Sequence, residues 1–207
     1  CSKGHAGPVV YAALANRGYF DKAELLTLNQ GGTHLPSHCD MRKTIGIDMT
    51  AGSLAQGFSA AVGMALACQL DKKSNRIYTI IGDGESQEGQ IWEAAMLAGN
   101  RKLANITAFC DNNGMQIDGY TNDINSIEPI ADKWRAFKWN VIECCGHDVK
   151  ALDAAIALSI AEKERPTMIV MKTIKGKGAN FCENTVASHS TAVSEEQLES
   201  ALAALKR

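Results

Sequence analysis

The chain has 207 residues, of which 45% are hydrophobic and 21% are charged, and its formal net charge is -2. This length and apolar content suffice for one globular domain with a buried core. The slight acidic excess argues against partners such as nucleic acid or an anionic membrane surface, because both require a basic face. No apolar segment is long enough to cross a bilayer and no secretory signal is visible, so we expect a cytoplasmic protein.

The seven cysteines are odd in number and follow no repeated metal-binding spacing. Most lie within apolar runs, as Cys68 and Cys110 do, which is typical of buried thiols rather than of a disulfide framework. A bridge between the neighbours Cys144 and Cys145 would be strained. We therefore expect reduced cysteines.

Helical patterns alternate along the chain with short apolar strands. Helices are predicted at 7–18 and 21–28, a loop over 30–52, and a helix of small residues over 52–70. The elements that follow are strand 76–81, helix 89–100, strand 105–111, helix 129–137, strand 139–144, helix 149–162 and strand 167–173. A loop over 174–193 leads to a last helix from about 195, for which Ser194 is the expected N-cap.

Short apolar strands separated by helices predict an α/β fold, with a parallel sheet covered by helices on both faces. In such sheets, ligands bind beyond the carboxyl ends of the strands. The chain starts at Cys1 with a glycine-rich turn and a helix, without a preceding strand. We therefore expect 1–207 to form a single domain that lacks its N-terminal part.

A Gly-Asp-Gly turn follows the strand 76–81. Gly82 and Gly84 permit a tight backbone and the close approach of a ligand to Asp83. A helix that begins near Gly89 would add its N-terminal dipole to an anion site. Alone, the motif is more often a structural turn.

The strand 105–111 ends in a second polar motif, which presents Asp111, Asn112 and Asn113 at the same edge of the predicted sheet. The joint occurrence of both motifs at successive strand ends is uncommon. A carboxylate, an amide oxygen and a backbone carbonyl suit a hard cation such as Mg²⁺, which keeps room for phosphate oxygens. The sequence therefore predicts a site for magnesium and a diphosphate.

Together the motifs resemble the signature of thiamine diphosphate enzymes, in which GDG is followed further along the chain by NN. Several stretches are similar to the cofactor domain of transketolases: SKGHAGPVVYAAL at 2–14, TAGSLAQGFSAAVGMALA at 50–67, GDGESQEGQIWEAAMLAG at 82–99, DNNGMQIDG at 111–119 and KTIKGKG at 172–178. The chain looks most like the separately encoded N-terminal subunit of two-subunit transketolases. This resemblance implies ketol transfer between sugar phosphates, for example from xylulose 5-phosphate to ribose 5-phosphate.

The resemblance also implies ligands for the metal and the cofactor. Asp83, Asn113 and the backbone carbonyl of Met115 correspond to the ligands of the metal that holds the diphosphate. Gly82 and Gly84 belong to the turn that lines the diphosphate.

Three histidines match histidines of the family. His5 corresponds to one that reaches the diphosphate and the reacting centre, His38 to one that contacts hydroxyls of the donor sugar, and His189 to one near the diphosphate and a substrate oxygen. Neutral imidazoles suit the proton transfers of this reaction. His34 and His147 have no such match and are expected to be structural.

The remaining matches concern the cofactor rings and the partner. Gly52 and Leu54 correspond to contacts with the cofactor's rings, and Glu88 to an acid that links cofactor sites across a subunit interface. The family's pyrimidine-binding domain, with the glutamate that activates the cofactor, has no counterpart here. We therefore expect a pyrimidine-domain partner subunit in a two-plus-two heterotetramer, joined through the helix 52–70 and the region around Glu88.

Some residues depart from the family pattern. Cys39 and Ser53 replace residues that are usually proline, so the preferred acceptor sugar is open. Lys175 and Lys177 could meet a sugar phosphate, although solvated surface lysines are the more common case.

Other interpretations remain. The α-subunits of 2-oxoacid dehydrogenases carry both motifs but differ around Gly84, and deoxyxylulose-phosphate synthase shares the fold but is less similar around DNNGMQIDG. A split transketolase that acts on another sugar phosphate, such as apulose 4-phosphate, is an alternative that these residues leave open. A non-catalytic scaffold of the same fold is disfavoured because Asp83, Asn113, His5 and His38 are intact.

Overall fold

Helices and strands alternate along the chain, and the computed structural model describes residues 1–205. In chain order the elements are α1 (Gly7–Asn16), α2 (Gln56–Leu70), β1 (Ile77–Gly82), α3 (Gly89–Asn100), β2 (Ile106–Asn112), β3 (Met115–Gln116), β4 (Gly119–Tyr120), α4 (Thr121–Asn125), α5 (Ile130–Ala136), β5 (Asn140–Cys145), α6 (Val149–Ala161), β6 (Thr167–Lys172) and α7 (Glu195–Leu205). Short 3-10 helices cover Gly4–Ala6, Lys22–Thr27, Glu85–Gln87 and Val186–His189. Within residues 1–205, none of the helices combines the length and the apolar character that a membrane span requires.

The main sheet has four strands in the order β1-β2-β6-β5. All neighbouring pairs in it are parallel, as the sequence predicts. β1 and β2 are adjacent, and Gly82 at the end of β1 is paired with Asp111 near the end of β2. The two motif-bearing strand ends therefore lie side by side.

Successive residues of β2 show that helices cover both faces of the sheet. Ala108 and Cys110 are fully buried in a core that includes residues of α2, α3 and α5. Thr107, the residue before Ala108, forms a hydrogen bond with Ser159 of α6, with the two hydroxyl oxygens 3.1 Å apart. Because adjacent side chains of a strand point to opposite faces, α6 lies on the face opposite to α2 and α3.

An aromatic cluster fixes the helix that follows the Gly-Asp-Gly turn. The ring of Trp134 on α5 lies 5.1 Å from that of Trp92 on α3 and 4.9 Å from that of Trp139. The indole nitrogen of Trp139 also donates a hydrogen bond of 2.9 Å to the backbone carbonyl of Ala95. Large buried aromatic surfaces dominate core energetics, so this cluster holds α3 firmly against its neighbours.

Most predicted elements are confirmed, and α3 begins and ends where the sequence indicates. The predicted start of the helix 52–70 is wrong, because α2 begins only at Gln56 after Ala55, which has a positive φ of 68°. The segment predicted as a helix over 21–28 forms a 3-10 helix. The hairpin of β3 and β4 and the short helix α4 have no counterpart in the prediction.

The N-cap prediction for the last helix is confirmed. The backbone N–H of Gln197 donates to the Ser194 hydroxyl at 3.3 Å, and the Gln197 side chain accepts from the Ser194 N–H at 2.9 Å. This reciprocal pair is a capping box. All seven cysteines are free thiols in the structure.

A pair of glycine substitutions tests the packing of α3. A side chain on Gly99 would overlap the backbone carbonyl oxygen of Phe137, whereas a side chain on Gly63 of α2 would meet no atom within 4 Å. We expect Gly99→Ala to lower the free energy of unfolding by about 1–3 kcal/mol through overpacking. Gly63→Ala should raise it by about 0.5–1 kcal/mol, since alanine favours the helix. Urea denaturation of the three proteins measures both effects, and equal stabilities would contradict the packing described here.

Candidate functional site

A cavity of about 670 Å³ opens at the carboxyl ends of β1 and β2. Every residue that the family resemblance assigned to the site lies on its lining: His5, His38, Gly52, Leu54, Gly82, Asp83, Gly84, Glu88, Asn113, Met115 and His189. These residues come from segments that are far apart in the chain. The fold therefore brings the predicted site together, while the chemical roles of its members stay predictions.

Asp83 is a buried carboxylate without a cationic side-chain partner among residues 1–205. Its two oxygens accept hydrogen bonds from the backbone N–H groups of Gly84, at 2.8 Å, and Gly114. Burial raises the pKa of Asp83 to about 6, although these hydrogen bonds oppose the shift. A nearby cation would relieve this unfavourable burial of charge.

The donor atoms around Asp83 fit a hard cation. The side-chain oxygen of Asn113 faces the turn that leads to Met115 and accepts a hydrogen bond of 3.0 Å from its backbone N–H. Within the described chain, no group of three or more His, Cys, Asp or Glu residues is arranged to hold a metal. A cation at Asp83 would thus be coordinated by one carboxylate, amide and carbonyl oxygens, and oxygens of a bound ligand, as Mg²⁺ commonly is.

The other polar residues at the end of β2 have different partners. Asp111 forms an ion pair with Lys3 and accepts a hydrogen bond from the Thr173 hydroxyl. Burial alone would raise the pKa of Asp111, but the Lys3 ammonium and these hydrogen bonds lower it. Asn112 donates instead to Glu128, at 3.3 Å. Of the three residues that the sequence placed at this edge, only Asn113 lines the cavity.

Glu85 joins three segments that line the cavity. Its buried carboxylate accepts hydrogen bonds from the Ser2 hydroxyl, from the backbone N–H of Ala55 at 2.9 Å and from the backbone N–H of Gly82 at 3.1 Å. The Ser2 oxygen in turn accepts from the N–H of Phe58 at 3.0 Å. One carboxylate therefore connects the segment before His5, the start of α2 and the Gly-Asp-Gly turn.

Close backbone contacts place His38 in the cavity. A side chain on Gly4 would overlap the His38 ring and would lie 2.7 Å from the Cα atom of Gly52. Glycine at position 4 is thus required for the approach of three segments to one another. The same contact brings His38 next to the segment that carries His5.

Two histidines of the cavity, His5 and His189, are held in their neutral form. Their rings lie 4.6 Å apart. Although His5 as a whole residue is exposed, partial desolvation of its ring, followed by the charge of Lys3, lowers its pKa to about 4. Burial and the charges of Lys175 and Lys3 also lower the pKa of His189. Both rings can therefore donate and accept hydrogen bonds at neutral pH.

Sequence reasoning gave too little weight to Lys175. It is half-buried on the cavity lining, and its ammonium nitrogen lies 2.7 Å from Nδ1 of His189. Lys177, two residues further on, is an exposed lysine that pairs with Glu183 at 2.9 Å. The two lysines look alike in the sequence, and only the path of the loop distinguishes them.

Further lining residues had no sequence signal beyond their proximity to a motif. They are Lys3, Pro8, Asn29, Ser37, Glu85, Gln87, Gln116, Ile117 and Ser190. The side-chain oxygen of Gln116 is buried and has no hydrogen-bond partner among the residues that the structure describes. Such an atom at a cavity wall is available to a donor group of a ligand.

The two histidines without a family match lie off this lining. The backbone carbonyl of His34 accepts a hydrogen bond from Thr44. Nε2 of His147 accepts one of 2.7 Å from the backbone N–H of Ile174. His147 thus anchors the loop that leads to Lys175, while its neighbour Asp148 caps α6.

Comparisons with known proteins give one consistent result. A family model described as "Transketolase, thiamine diphosphate binding domain" matches residues 1–205. The 6-deoxy-6-sulfo-D-fructose transketolase subunit SqwG of a Clostridium species is 59% identical over 206 residues, which are 100% of this chain and 75% of that protein. An apulose-4-phosphate transketolase subunit of Actinobacillus succinogenes is 36% identical over 205 residues, which are 99% of this chain and 74% of that protein.

Solved structures agree with these sequence relatives. The transketolase from Leishmania mexicana superimposes with a TM-score of 0.92 at 31% identity, over 100% of this chain and 32% of that one. The chain thus spans about a third of that longer transketolase but about three quarters of the two relatives that are named as subunits.

Removing the Glu85 carboxylate should loosen the cavity. In Glu85→Ala, the N–H groups of Ala55 and Gly82 would lose their acceptor, and each buried group left without a partner costs about 1–3 kcal/mol. Glu85→Gln should lower the stability less, because one acceptor oxygen remains. Some loss is still expected, since the new amide N–H group would face a hydrogen-bond donor. Glu93→Ala, on the exposed side of α3, is the matched control. Chemical denaturation measures the stabilities, and a Glu85→Ala protein as stable as the control would contradict this role.

Proposed function

The chain belongs to the transketolase family, and on that premise we propose that it is the diphosphate-binding subunit of an enzyme that transfers a two-carbon ketol unit between sugars. Thiamine diphosphate is the cofactor of the family domain that the chain matches. The single observation that carries the proposal is the shared cavity, in which the buried Asp83 lies together with neutral histidines. A decayed scaffold would have no need to retain a buried carboxylate whose pKa is raised.

The residues around Asp83 are proposed to hold the cofactor's diphosphate through a divalent cation. Asp83 supplies the charge, and Asn113 and the carbonyl of Met115 supply neutral oxygens. Gly84 lets the diphosphate approach the turn closely, because its position carries no side chain. All four residues line the cavity.

The side chains further along the cavity suit proton transfer and the exclusion of water. When bound, the cofactor supplies a nucleophilic ring carbon for the two-carbon unit. His5 and His189 are neutral and can move or hold a proton at an oxygen of the substrate. His38 is proposed to hold hydroxyl groups of the donor sugar, and Leu54 and Ile117 to add apolar surface that keeps the reacting centre dry.

A partner subunit is part of the proposal. The relatives cited above are named as subunits. Exposed apolar side chains on α2 and α3 offer a surface for such a partner, with Met64 45% exposed, Met96 56% and Leu97 42%. Glu88, the N-cap of α3, also lines the cavity. We propose a pyrimidine-domain partner in a two-plus-two assembly, located in the cytoplasm.

The donor is proposed to be a ketose with a terminal anionic group. The relative at 59% identity is named for 6-deoxy-6-sulfo-D-fructose, and that at 36% for apulose 4-phosphate. We therefore place the sulfonated ketose first and the sugar phosphates, including xylulose 5-phosphate, second. The cavity described here is close to the reacting centre, so the group that grips the terminal anion is expected in the partner.

Ketol transfer can be measured directly. The chain is mixed with a candidate pyrimidine-domain partner, thiamine diphosphate and Mg²⁺, and each of the three ketoses named above is offered with an aldose acceptor. We expect transfer with the highest kcat/KM for 6-deoxy-6-sulfo-D-fructose. A preference for a sugar phosphate would show that the proposed substrate is wrong. Tight cofactor binding without transfer from any ketose would refute the proposed function.

Asp83 provides a test of the metal site. Asp83→Asn keeps the shape of the side chain but removes its charge, so the Mg²⁺-dependent affinity for thiamine diphosphate should fall on the order of 100-fold, or about 2.7 kcal/mol. Calorimetric titration of the two-subunit complex measures this affinity. Asp153→Asn on α6, at the opposite face of the sheet, is the control and should bind normally. An unchanged affinity in Asp83→Asn would remove Asp83 from the metal site.

A further inference from the structure

We propose that Tyr11 is a positioning residue for His38: its hydroxyl group holds the loop 35–39 against α1 and thereby sets the placement of His38 relative to His5. Tyr11 is 1% exposed and does not line the cavity. The sequence predicted no role for it. The inference rests on the proposed function for what His38 does to the donor sugar, but not for how its loop is held.

The loop 35–39 forms neither helix nor strand, so its placement depends on individual hydrogen bonds. The Tyr11 hydroxyl donates one of 2.7 Å to the backbone carbonyl of Pro36, two residues before the histidine. The backbone N–H of Ala51 donates one of 3.3 Å to the carbonyl of Cys39, one residue after it. The histidine therefore lies between two anchors, and the first of them is the tyrosine.

The 3-10 helix Gly4–Ala6 and α1 present one common face to this loop. Positions 4, 7 and 11 share that face, because they are three and four residues apart. Their contacts run along three successive loop residues: Gly4 contacts His38, Gly7 contacts Ser37 and Tyr11 contacts Pro36.

These contacts fix the distance between the loop and the helix from both directions. A side chain on Gly7 would place its Cβ atom 2.7 Å from the carbonyl oxygen of Ser37. The loop thus cannot approach the helix further at that point. The hydrogen bond from Tyr11 prevents it from moving away. The two residues together leave the loop one position.

The ring and the hydroxyl group of Tyr11 have separate roles. The ring packs with Leu35 and Cys39 in a hydrophobic cluster apart from the main core. A phenylalanine would keep this packing. Only the hydroxyl reaches the backbone carbonyl of the loop, so the stability of the cluster and the placement of the histidine can be tested separately.

The placement matters because two histidines of the cavity are proposed to act on one substrate. His5 belongs to the 3-10 helix that leads into α1, and both His5 and His38 line the cavity. A displacement of about 1 Å between groups that act together can lower a rate about 100-fold. Tyr11 connects the helix that follows His5 to the loop that carries His38.

Nuclear magnetic resonance of the full chain with labelled histidines tests the placement directly. Tyr11→Phe keeps the buried ring but removes the hydroxyl, so the ring signals of His38 should shift or broaden. Those of His147, which is held by a separate hydrogen bond from Ile174, should stay unchanged. Tyr19→Phe is the matched control, since this tyrosine is 51% exposed just after α1, and it should leave all ring signals unchanged. The His38 signals are identified by their loss in a His38→Ala chain.

A second variant displaces the same loop from the opposite direction. The methyl group of Gly7→Ala would collide with the carbonyl oxygen of Ser37, so the His38 signals should change here as well. Gly63→Ala, where a side chain meets open space, is its control. Unchanged His38 signals in a folded Tyr11→Phe chain would overturn the inference. If that chain does not fold, Gly7→Ala decides the question in the same way.

Kinetics of the two-subunit complex separate positioning from a general loss of structure. Tyr11→Phe should lower kcat/KM for the ketose about 10- to 100-fold. The Mg²⁺-dependent affinity for thiamine diphosphate should be unchanged, because Asp83 and Asn113 are held by other contacts. In a His38→Ala background the same substitution should have little further effect, since it acts through that histidine.

The possible results decide between these accounts. An equal fall of kcat/KM in both backgrounds, or an equal loss of cofactor affinity, would overturn the inference. A wild-type complex without ketol transfer would refute the proposed function instead. The histidine ring signals would still decide the role of Tyr11 in that case, because they require no turnover.

Discussion

The arrangement of the site depends on one buried carboxylate, that of Glu85. An ionised carboxylate only accepts hydrogen bonds, and this one accepts from Ser2, Ala55 and Gly82. Burying a charge is unfavourable unless the surroundings satisfy it. The three donors do so, and each belongs to a different segment of the cavity wall. Glu85 thereby sets the positions of these segments relative to one another, although the sequence predicted no role for it.

The charges around the cavity suit a cation and an anion at the same time. Lys3 and Asp111 neutralise each other. Among residues 1–205, Asp83 has no cationic partner, which favours a bound cation, whereas Lys175 contacts a neutral histidine, which favours a bound anion. A magnesium diphosphate has both properties. The charges in the cavity are therefore those expected of the thiamine diphosphate binding domain that the chain matches.

The sequence predicted the elements whose information is local. The helix at 89–100 is bounded by a glycine turn on one side and a polar segment on the other, and its limits are those of α3. The ends of β1 and β2 were also predicted to within one residue, because apolar runs stop at polar motifs. The predicted start of α2 was wrong. Ala55 has a left-handed conformation, and its backbone N–H donates to Glu85, which lies 30 residues further along the chain. Contacts of this kind leave no local pattern.

The candidate site was also predicted in part, namely where its residues belong to sequence motifs. Asp83 and Asn113 share one cavity, because the ends of adjacent parallel strands meet at one edge of a sheet. Lys175 could not be distinguished from Lys177 without the path of the loop that contains both. Glu85 had no signal either, because an acid after a glycine turn is usually exposed. Family patterns thus identified the residues that are proposed to contact a ligand. The residues that hold them in position could be identified only from the structure.

The central claim is that Asp83, Asn113 and the Met115 carbonyl hold the metal of a thiamine diphosphate cofactor in this cavity. The most direct test is a crystal structure of the two-subunit complex grown with the cofactor and Mn²⁺ in place of Mg²⁺, with anomalous diffraction recorded for manganese. We predict one strong anomalous peak within coordination distance of these three residues and of the diphosphate oxygens. A peak elsewhere, or a cofactor bound without any metal at Asp83, would contradict the account.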